Sequence, residues 1–353
     1  YTKEGEVKTM SAVVNIGIIG AGRIGKLHAE NITKLVPSVQ VVGISDVMMN
    51  DEMEKWAHSL GIGIATKDPS DLINHEEIDA ILVCSSTSTH ADFTMASAKA
   101  GKHVFCEKPI DLSVTKGLEA IKVARKHQVK LQLGFNRRFD HNFKHIHDLR
   151  TAGKVGDVHI VKITSRDPAP PSPAYVAVSG GIFLDMMIHD FDMARFQAGS
   201  EITSVYATGA VLVDPEIGKA GDIDTAIVTL TFANGAIGVI DNSRQAVYGY
   251  DQRVEVFGSK GAAQAENDRP TNVTLSTAEQ VSTDKPLYFF LERYEDAFVD
   301  EISSFAEAIL ENKEVVVSGE DGLEDMVAAL AAGKSLKEGR VVTIAEMKDE
   351  LGL

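Results

Sequence analysis

Three side chains in this sequence are of the types that remove a proton from an alcohol and steady the charge left behind: Asp185, His189 and Lys108. Asp185 and His189 are four residues apart, and on a continuous helix that spacing puts both on one face. A carboxylate beside an imidazole could take an alcohol proton while the carbon loses hydride. Gly180 and Gly181 come just before, so the pair would project from the helix's first turns. The same residues also read as a polar helix face with a capping aspartate, or as a metal site built from His189, Asp190 and Asp192. Lys108 shifts the balance toward chemistry without a metal, because an ammonium can hydrogen-bond the reacting oxygen and stabilise negative charge on it. Its plainer reading is a surface lysine beside a turn proline. Lys108-Pro109 also admits a cis peptide, which would fix the direction of the lysine.

Hydride needs an acceptor, and residues 13–46 describe one. An apolar run over 13–19 enters Gly20, Gly22 and Gly25, an amphipathic helix follows, and a second apolar run from Val39 ends at Asp46. Gly20 permits a sharp turn, Gly22 removes a Cβ that would block a pyrophosphate, and Gly25 lets the helix lie close to the sheet. Arg23 and Ile24 open that helix, where unpaired N–H groups and the positive dipole end favour phosphate. Asp46 lies 21 residues beyond Gly25, the spacing of a carboxylate that accepts the ribose hydroxyls. It would repel a 2′-phosphate, and Val47, Met48 and Met49 supply no arginine, so the expected cofactor is NAD rather than NADP. A glycine-rich turn with no ligand is the bland alternative.

The elements that follow deliver further groups to the same sheet edge. An apolar strand over 78–84 leads into a hydroxyl-rich run ending at His90; Thr87 and His90 are expected to line the nicotinamide half, or else to cap the next helix, 91–100. A strand over 102–106 brings up Glu107, counted with the cofactor set, and Lys108. A helix over 113–126 and a strand over 130–134 close this domain. Strand and helix alternate throughout, which implies a parallel, doubly wound Rossmann sheet. After Gly134 the pattern changes to strands at 158–165, 202–213, 225–232, 236–244 and 253–258, with Asn234-Gly235 and Lys260-Gly261 as hairpin signals. The fold expected is therefore α/β: a Rossmann domain over 12–134, then an α+β domain over 135–353 with a large open, mostly antiparallel sheet. Residues 1–11 read as a polar leader, with Met10 a candidate start. Four of the ten prolines fall between Pro168 and Pro173, in a loop stiff and long enough to form a site wall. Helices are expected near 142–152, 294–312 and 322–333.

Composition narrows the partners. With 353 residues, 44% hydrophobic and 24% charged, the chain has the make-up of a two-domain globular protein. A net charge of -16 argues against nucleic acid or an anionic membrane and suits a neutral small molecule. No run approaches the roughly 20 apolar residues of a membrane span. Only two cysteines occur, Cys84 and Cys106, expected as reduced core thiols in a cytoplasmic protein. Apolar and β-branched residues on both faces of the second-domain strands make a homo-oligomer plausible.

Together, the Gly20–Gly25 turn, Glu107-Lys108-Pro109, the run from Gly134 through Arg137 to Asp140, residues 181–192 and Tyr248-Gly249-Tyr250-Asp251 resemble the Gfo/Idh/MocA oxidoreductase family. The last two motifs point to its inositol dehydrogenase branch. This resemblance implies an NAD-dependent oxidation of one secondary hydroxyl of a cyclic polyol, most simply myo-inositol, to the 2-keto inosose. It implies His189 as general base, Lys108 as the group that polarises the hydroxyl, and Asp185 as the residue that orients the histidine or binds a neighbouring hydroxyl. Arg137 and Tyr250 match positions that contact a polyol ring. Asp167 stands where a related enzyme carries asparagine, and the proline-rich loop after it departs from the family pattern. A tetramer is what the family suggests. The alternatives are scyllo-inositol as substrate, a sugar dehydrogenase or ketose reductase of the same family, and a non-catalytic NAD-binding sensor, which would have no use for Lys108, Asp185 and His189 together.

Overall fold

A computed structural model of the chain describes residues 13–353; the expected leader at 1–11 lies outside them. Two compact units are present. The first comprises the chain up to Glu107, then Glu119–Gly134 and Val299–Ser318; the second comprises Lys108–Leu118, Phe135–Phe298 and Gly319–Leu353. A single cut at Gly134 is thus accompanied by two exchanges: residues 108–118 go to the second unit, and residues 299–318 return to the first.

The first unit is built on six parallel strands: β1 (Val14–Ile19), β2 (Val39–Ser45), β3 (Ile64–Thr66), β4 (Ala80–Val83), β5 (His103–Glu107) and β6 (Leu131–Gly134), in the order β3-β2-β1-β4-β5-β6. The chain winds outward from β1 to β2, then crosses back to β4 on β1's other side. That reversal opens a crevice at the carboxyl ends of β1 and β4, where open α/β sheets bind ligands. Strands covered on both faces can be apolar at every position, and Ala80–Val83 is buried throughout. The returning segment supplies the core with Ile302, Phe305 and Ala306, grouped with Ile16, Ile18, Leu82 and Phe105. Cys84 and Cys106 are buried free thiols.

The second unit carries a sheet of seven strands: β7 (Val158–Arg166), β8 (Ile202–Ala210), β9 (Thr225–Phe232), β10 (Ile237–Ser243), β11 (Asp251–Gly258), β12 (Gly261–Ala265) and, beyond the exposed hairpin β13 (Thr274–Ser276) and β14 (Val281–Thr283), the short β15 (Val342–Thr343). The order is β12-β11-β7-β10-β9-β8-β15, antiparallel except where β10 pairs with β7. Period-two burial makes it two-faced: Ala226, Val228, Leu230 and Phe232 of β9 point inward, and Ile227, Thr229 and Thr231 point out. The buried helix Gly319–Glu338 belongs to the inner side, where Ser335 Oγ accepts the Ala207 N–H at 3.0 Å. Apolar residues also occupy the outer face, with Tyr206, Ile227, Ile237 and Phe257 exposed. Among the described residues no helix is long and apolar enough to cross a membrane.

Two local expectations are corrected. The proline-rich stretch contains a helix, Pro173–Ser179, started by Pro173 and capped by Ser172, whose side chain accepts the Tyr175 N–H. Asp185 and His189 share no helix, because Gly181–Asp185 ends before Ile188–Ala198 begins, with a turn at Met186 and Met187. The Lys108–Pro109 peptide is cis.

The three glycines of the first turn meet different neighbours. A Cβ on Gly25 would sit 1.9 Å from the Gly20 carbonyl oxygen, whereas one on Gly22, at φ -73°, would meet no protein atom within 4 Å. Gly25→Ala is therefore expected to lower unfolding stability by about 1–3 kcal/mol, and Gly22→Ala to leave it nearly unchanged; paired denaturant titrations decide, and equal losses would contradict this division.

Candidate active site

In the first unit the cofactor-type residues gather at the ends of β1, β2 and β4. Gly20 adopts φ +102°, and a Cβ there would strike the Cys84 carbonyl at 2.5 Å, so the turn out of β1 needs glycine. The helix Arg23–Leu35 starts at Gly22 with no side-chain cap and no acidic residue in its first turn. Its opening N–H groups, at Arg23 and Ile24, are left for an external acceptor. Since neither conformation nor packing requires glycine at position 22, the space beside it fits a group approaching the backbone. Asp46 follows β2, with Oδ2 accepting the Ala21 N–H and Oδ1 the Met48 N–H, each at 2.8 Å. These bonds fix the carboxylate at the turn and leave a lone pair on each oxygen for a diol. Val47 and Met48 beside it are exposed, and the residues that follow Asp46 in the turn, Val47 to Met49, include no arginine.

The other expected cofactor residues divide. Thr87 opens the short turn Thr87–Thr89 and is partly exposed. His90 is buried, its Nε2 2.9 Å from the Ser85 carbonyl oxygen, so it shapes that turn from inside. Glu107 also faces inward: His28 Nε2 lies 2.9 Å from its Oε1, and its carboxylate packs on Gly134, where a Cβ would come within 2.9 Å. Buried Glu301 lies 3.9 Å from the same histidine nitrogen. Burial, then the neighbouring Glu107, pushes the Glu301 carboxyl well above its usual range. His28 and Glu301 had no signal in the sequence beyond their helical positions.

The second unit brings Lys108, Asp185 and His189 into one group with Arg137, Asp167 and Tyr250. Lys108 Nζ donates to the Asp185 carbonyl oxygen at 2.8 Å and stands 4.0 Å from its Oδ1. The helix break makes this possible by leaving that carbonyl for a side chain. His189 packs edge-on against Phe135, ring centroids 5.7 Å apart. Its Nδ1 is buried without a partner while the residue as a whole is partly exposed, which leaves Nε2 as the ring nitrogen available for chemistry. Burial, then the charges of Lys108 and Arg137, holds the imidazole well below its ordinary pKa, so it is neutral at pH 7.

Buried charges beneath this group are matched. Arg137 Nη1 donates to Asp190 Oδ1 at 2.5 Å and Nη2 to Ser165 Oγ at 3.3 Å, while Asn242 Nδ2 donates to Asp190 Oδ2 at 3.0 Å. Asp192 accepts from Arg138 at 2.8 Å. Asp190 and Asp192 are therefore occupied by arginines, which removes the reading of them as metal ligands beside His189. Tyr250 is buried against Phe289 and Tyr294, and burial raises its hydroxyl pKa. The Asp167 carboxyl is pushed up to about 6, chiefly by burial, against the pull of Arg244. Arg244 and Tyr175 were missed in the sequence: Arg244 Nη2 lies 3.0 Å from Asp185 Oδ2, and the Tyr175 hydroxyl donates to Asp185 Oδ1 at 2.8 Å.

A nucleotide crevice of this topology and a lysine, imidazole and carboxylate group on one chain define a dinucleotide-dependent oxidoreductase. Residues 14–135 match the model for the oxidoreductase family with an NAD-binding Rossmann fold, and residues 143–264 match the GFO/IDH/MocA C-terminal domain. The chain belongs to the Gfo/Idh/MocA oxidoreductase family, and its cofactor is NAD. It is 51% identical to myo-inositol 2-dehydrogenase of Thermotoga maritima over 95% of this chain and 99% of that protein. It is 45% identical to inositol 2-dehydrogenase of Rhizobium meliloti, over 94% and 99%. The crystal structure of scyllo-inositol dehydrogenase from Lactobacillus casei, with bound NAD(H) and scyllo-inositol, is similar with a TM-score of 0.86 at 33% identity, covering 94% of this chain and 99% of that one.

Asp46→Ser is expected to remove the charge that excludes a 2′-phosphate and relax preference toward NADP. Comparing kcat/KM for NAD+ and NADP+ checks this, and a retained ratio would place selectivity elsewhere.

Proposed function

We propose that this protein oxidises one secondary hydroxyl of a cyclohexane polyol to a ketone, with myo-inositol giving the 2-keto inosose. The observation that carries the reading is the single group formed by Lys108, Asp185 and His189, with Lys108 bonded to the Asp185 carbonyl and His189 kept neutral. Likeness to the Thermotoga myo-inositol 2-dehydrogenase, at 51% identity over nearly the full chain, supports the substrate class. When bound, NAD+ supplies the hydride acceptor; Gly22, the N–H groups at Arg23 and Ile24, and Asp46 would hold it.

The residues divide the remaining work by their chemistry. Neutral His189 accepts the hydroxyl proton at Nε2 as the carbon–hydrogen bond breaks. Lys108, a donor fixed on the Asp185 carbonyl, turns its other N–H bonds to the oxygen on which negative charge develops. Asp185 accepts from a neighbouring hydroxyl and orients the site, and Arg137, Asp167 and Tyr250 line the ring. A net charge of -16 favours no anionic substrate, and a polyol carries none. Scyllo-inositol is the second reading, favoured by the likeness to the Lactobacillus scyllo-inositol dehydrogenase.

We also infer a cytoplasmic homotetramer. Two buried free cysteines suit a reducing compartment. The exposed apolar residues Tyr206, Ile227, Ile237 and Phe257 on the outer face of the second sheet offer an assembly surface. Sedimentation of the full chain tests the assembly, and a monomer mass would remove it.

Mixing the protein with NAD+ and myo-inositol is expected to produce absorbance at the NADH band; no reduction with myo-inositol, scyllo-inositol or hexoses would overturn the function. Lys108→Ala should lower kcat by roughly 10²–10³-fold while NAD+ still binds, as read by steady-state kinetics and cofactor titration. Unchanged turnover would take Lys108 out of the mechanism.

A further inference from the structure

We propose that Arg244 and Tyr175 set the stereochemical selectivity of this site by clamping Asp185 and Asp167 as a double hydroxyl acceptor, an inference that rests on the polyol oxidation proposed above. Arg244 follows directly after β10 and is buried. Its Nη2 lies 3.0 Å from Asp185 Oδ2, and its Nη1 lies 3.7 Å from Asp167 Oδ2. One guanidinium therefore ties together two carboxylates that would otherwise repel. Nε and Nη2 are buried and out of line for a directed hydrogen bond, so Arg244 holds the two carboxylates through its charge.

Tyr175 completes the clamp from the proline-rich stretch, its hydroxyl donating to Asp185 Oδ1 at 2.8 Å. With the Tyr175 hydroxyl bonded to Oδ1 and the Arg244 charge beside Oδ2, the Asp185 carboxylate cannot turn about its Cβ–Cγ bond without giving up one of the two. A carboxylate oxygen accepts about two hydrogen bonds, so each retains one direction for substrate. Stereoisomeric cyclohexane polyols present the same hydroxyls in different directions, axial or equatorial. A carboxylate locked in one plane distinguishes those directions, whereas a freely turning one accepts either. Proline at the start of the Tyr175 helix stiffens the element that holds the lock.

The charges around Asp167 give a second readout. Arg244, Asp185, Arg137, Asp190 and Tyr250 all act on it or are acted on by it. Arg244 favours the ionised form, and burial and Asp185 oppose it. Loss of the guanidinium must therefore move the ionisation of Asp167 to higher pH.

The test uses the full chain with NAD+, comparing kcat/KM for myo-inositol and scyllo-inositol, which differ at one carbon, across pH 5–9. Tyr175→Phe removes one hydroxyl from a side chain that is 48% exposed, so folding is not at stake. It is expected to bring the ratio of the two kcat/KM values about 2–10-fold nearer unity, the range of one hydrogen bond, with KM for NAD+ unchanged. Arg244→Gln is expected to change the ratio further and to move the acid limb of kcat/KM to higher pH. If Arg244→Gln does not fold, Tyr175→Phe decides alone. An unchanged ratio in the variants that fold, or an equal loss for both isomers with the acid limb in place, overturns the proposal. If the wild-type protein reduces NAD+ with neither isomer, the functional reading itself fails and takes this proposal with it.

Discussion

The buried ion pair of Arg137 with Asp190 is the interaction on which the second unit's site depends. An arginine does not give up its proton in a protein, so a guanidinium at this depth must be matched by an anion and by hydrogen bonds on its other N–H groups. Asp190 supplies the anion, while Ser165 from β7 and Asn242 from β10 complete the shell. Two strands and the helix Ile188–Ala198 are thereby pinned to one point. Removing either charge would strand the other, at a cost of about 3–5 kcal/mol for pairs of this kind. The consequence for chemistry is electrostatic: His189, next to Asp190 in sequence, lies in the fields of Arg137 and Lys108 and stays neutral. A base must be unprotonated before it can act, and here burial and cations secure that without any carboxylate partner on the ring.

The break between Asp185 and His189 has a comparable effect. On one continuous helix the two side chains would stack and the Asp185 carbonyl would be taken up within the helix. The turn at Met186 and Met187 leaves that carbonyl to Lys108, and the carboxylate is then taken by Arg244 and Tyr175. Asp185 thus orients the lysine through its backbone and the substrate face through its side chain. In the first unit the glycine turn shows a similar division of labour. Gly20 and Gly25 are required by the chain's own backbone, whereas Gly22 is left open toward solvent.

Much of this was legible from the residues in order. Periodicity and glycine spacing suffice for the parallel sheet, the turn after β1 and the placement of Asp46, because a βαβ unit is local and its connections are short. Asn234-Gly235 likewise marked the hairpin of β9 and β10. The family resemblance added Arg137, Asp167 and Tyr250, and all three lie in the second unit with Lys108. Less visible were β3, only three residues long, and the return of residues 299–318 to the first unit, since an amphipathic helix does not say which sheet it will cover.

The sequence by itself determined the local elements, the expected cofactor and the presence of an acid, a base and an ammonium on one chain, because each of these follows from residue type and short spacing. Tertiary structure alone decided which partners those groups acquire. His90 and Glu107 turned inward to Ser85 and His28, Asp190 and Asp192 were claimed by arginines, and Asp185 was clamped by residues 10 and 59 positions away, Tyr175 and Arg244. The physical reason is that pairing of buried charge is settled by distance in space and by the lack of water to substitute, and neither is written in the spacing of residues along the chain.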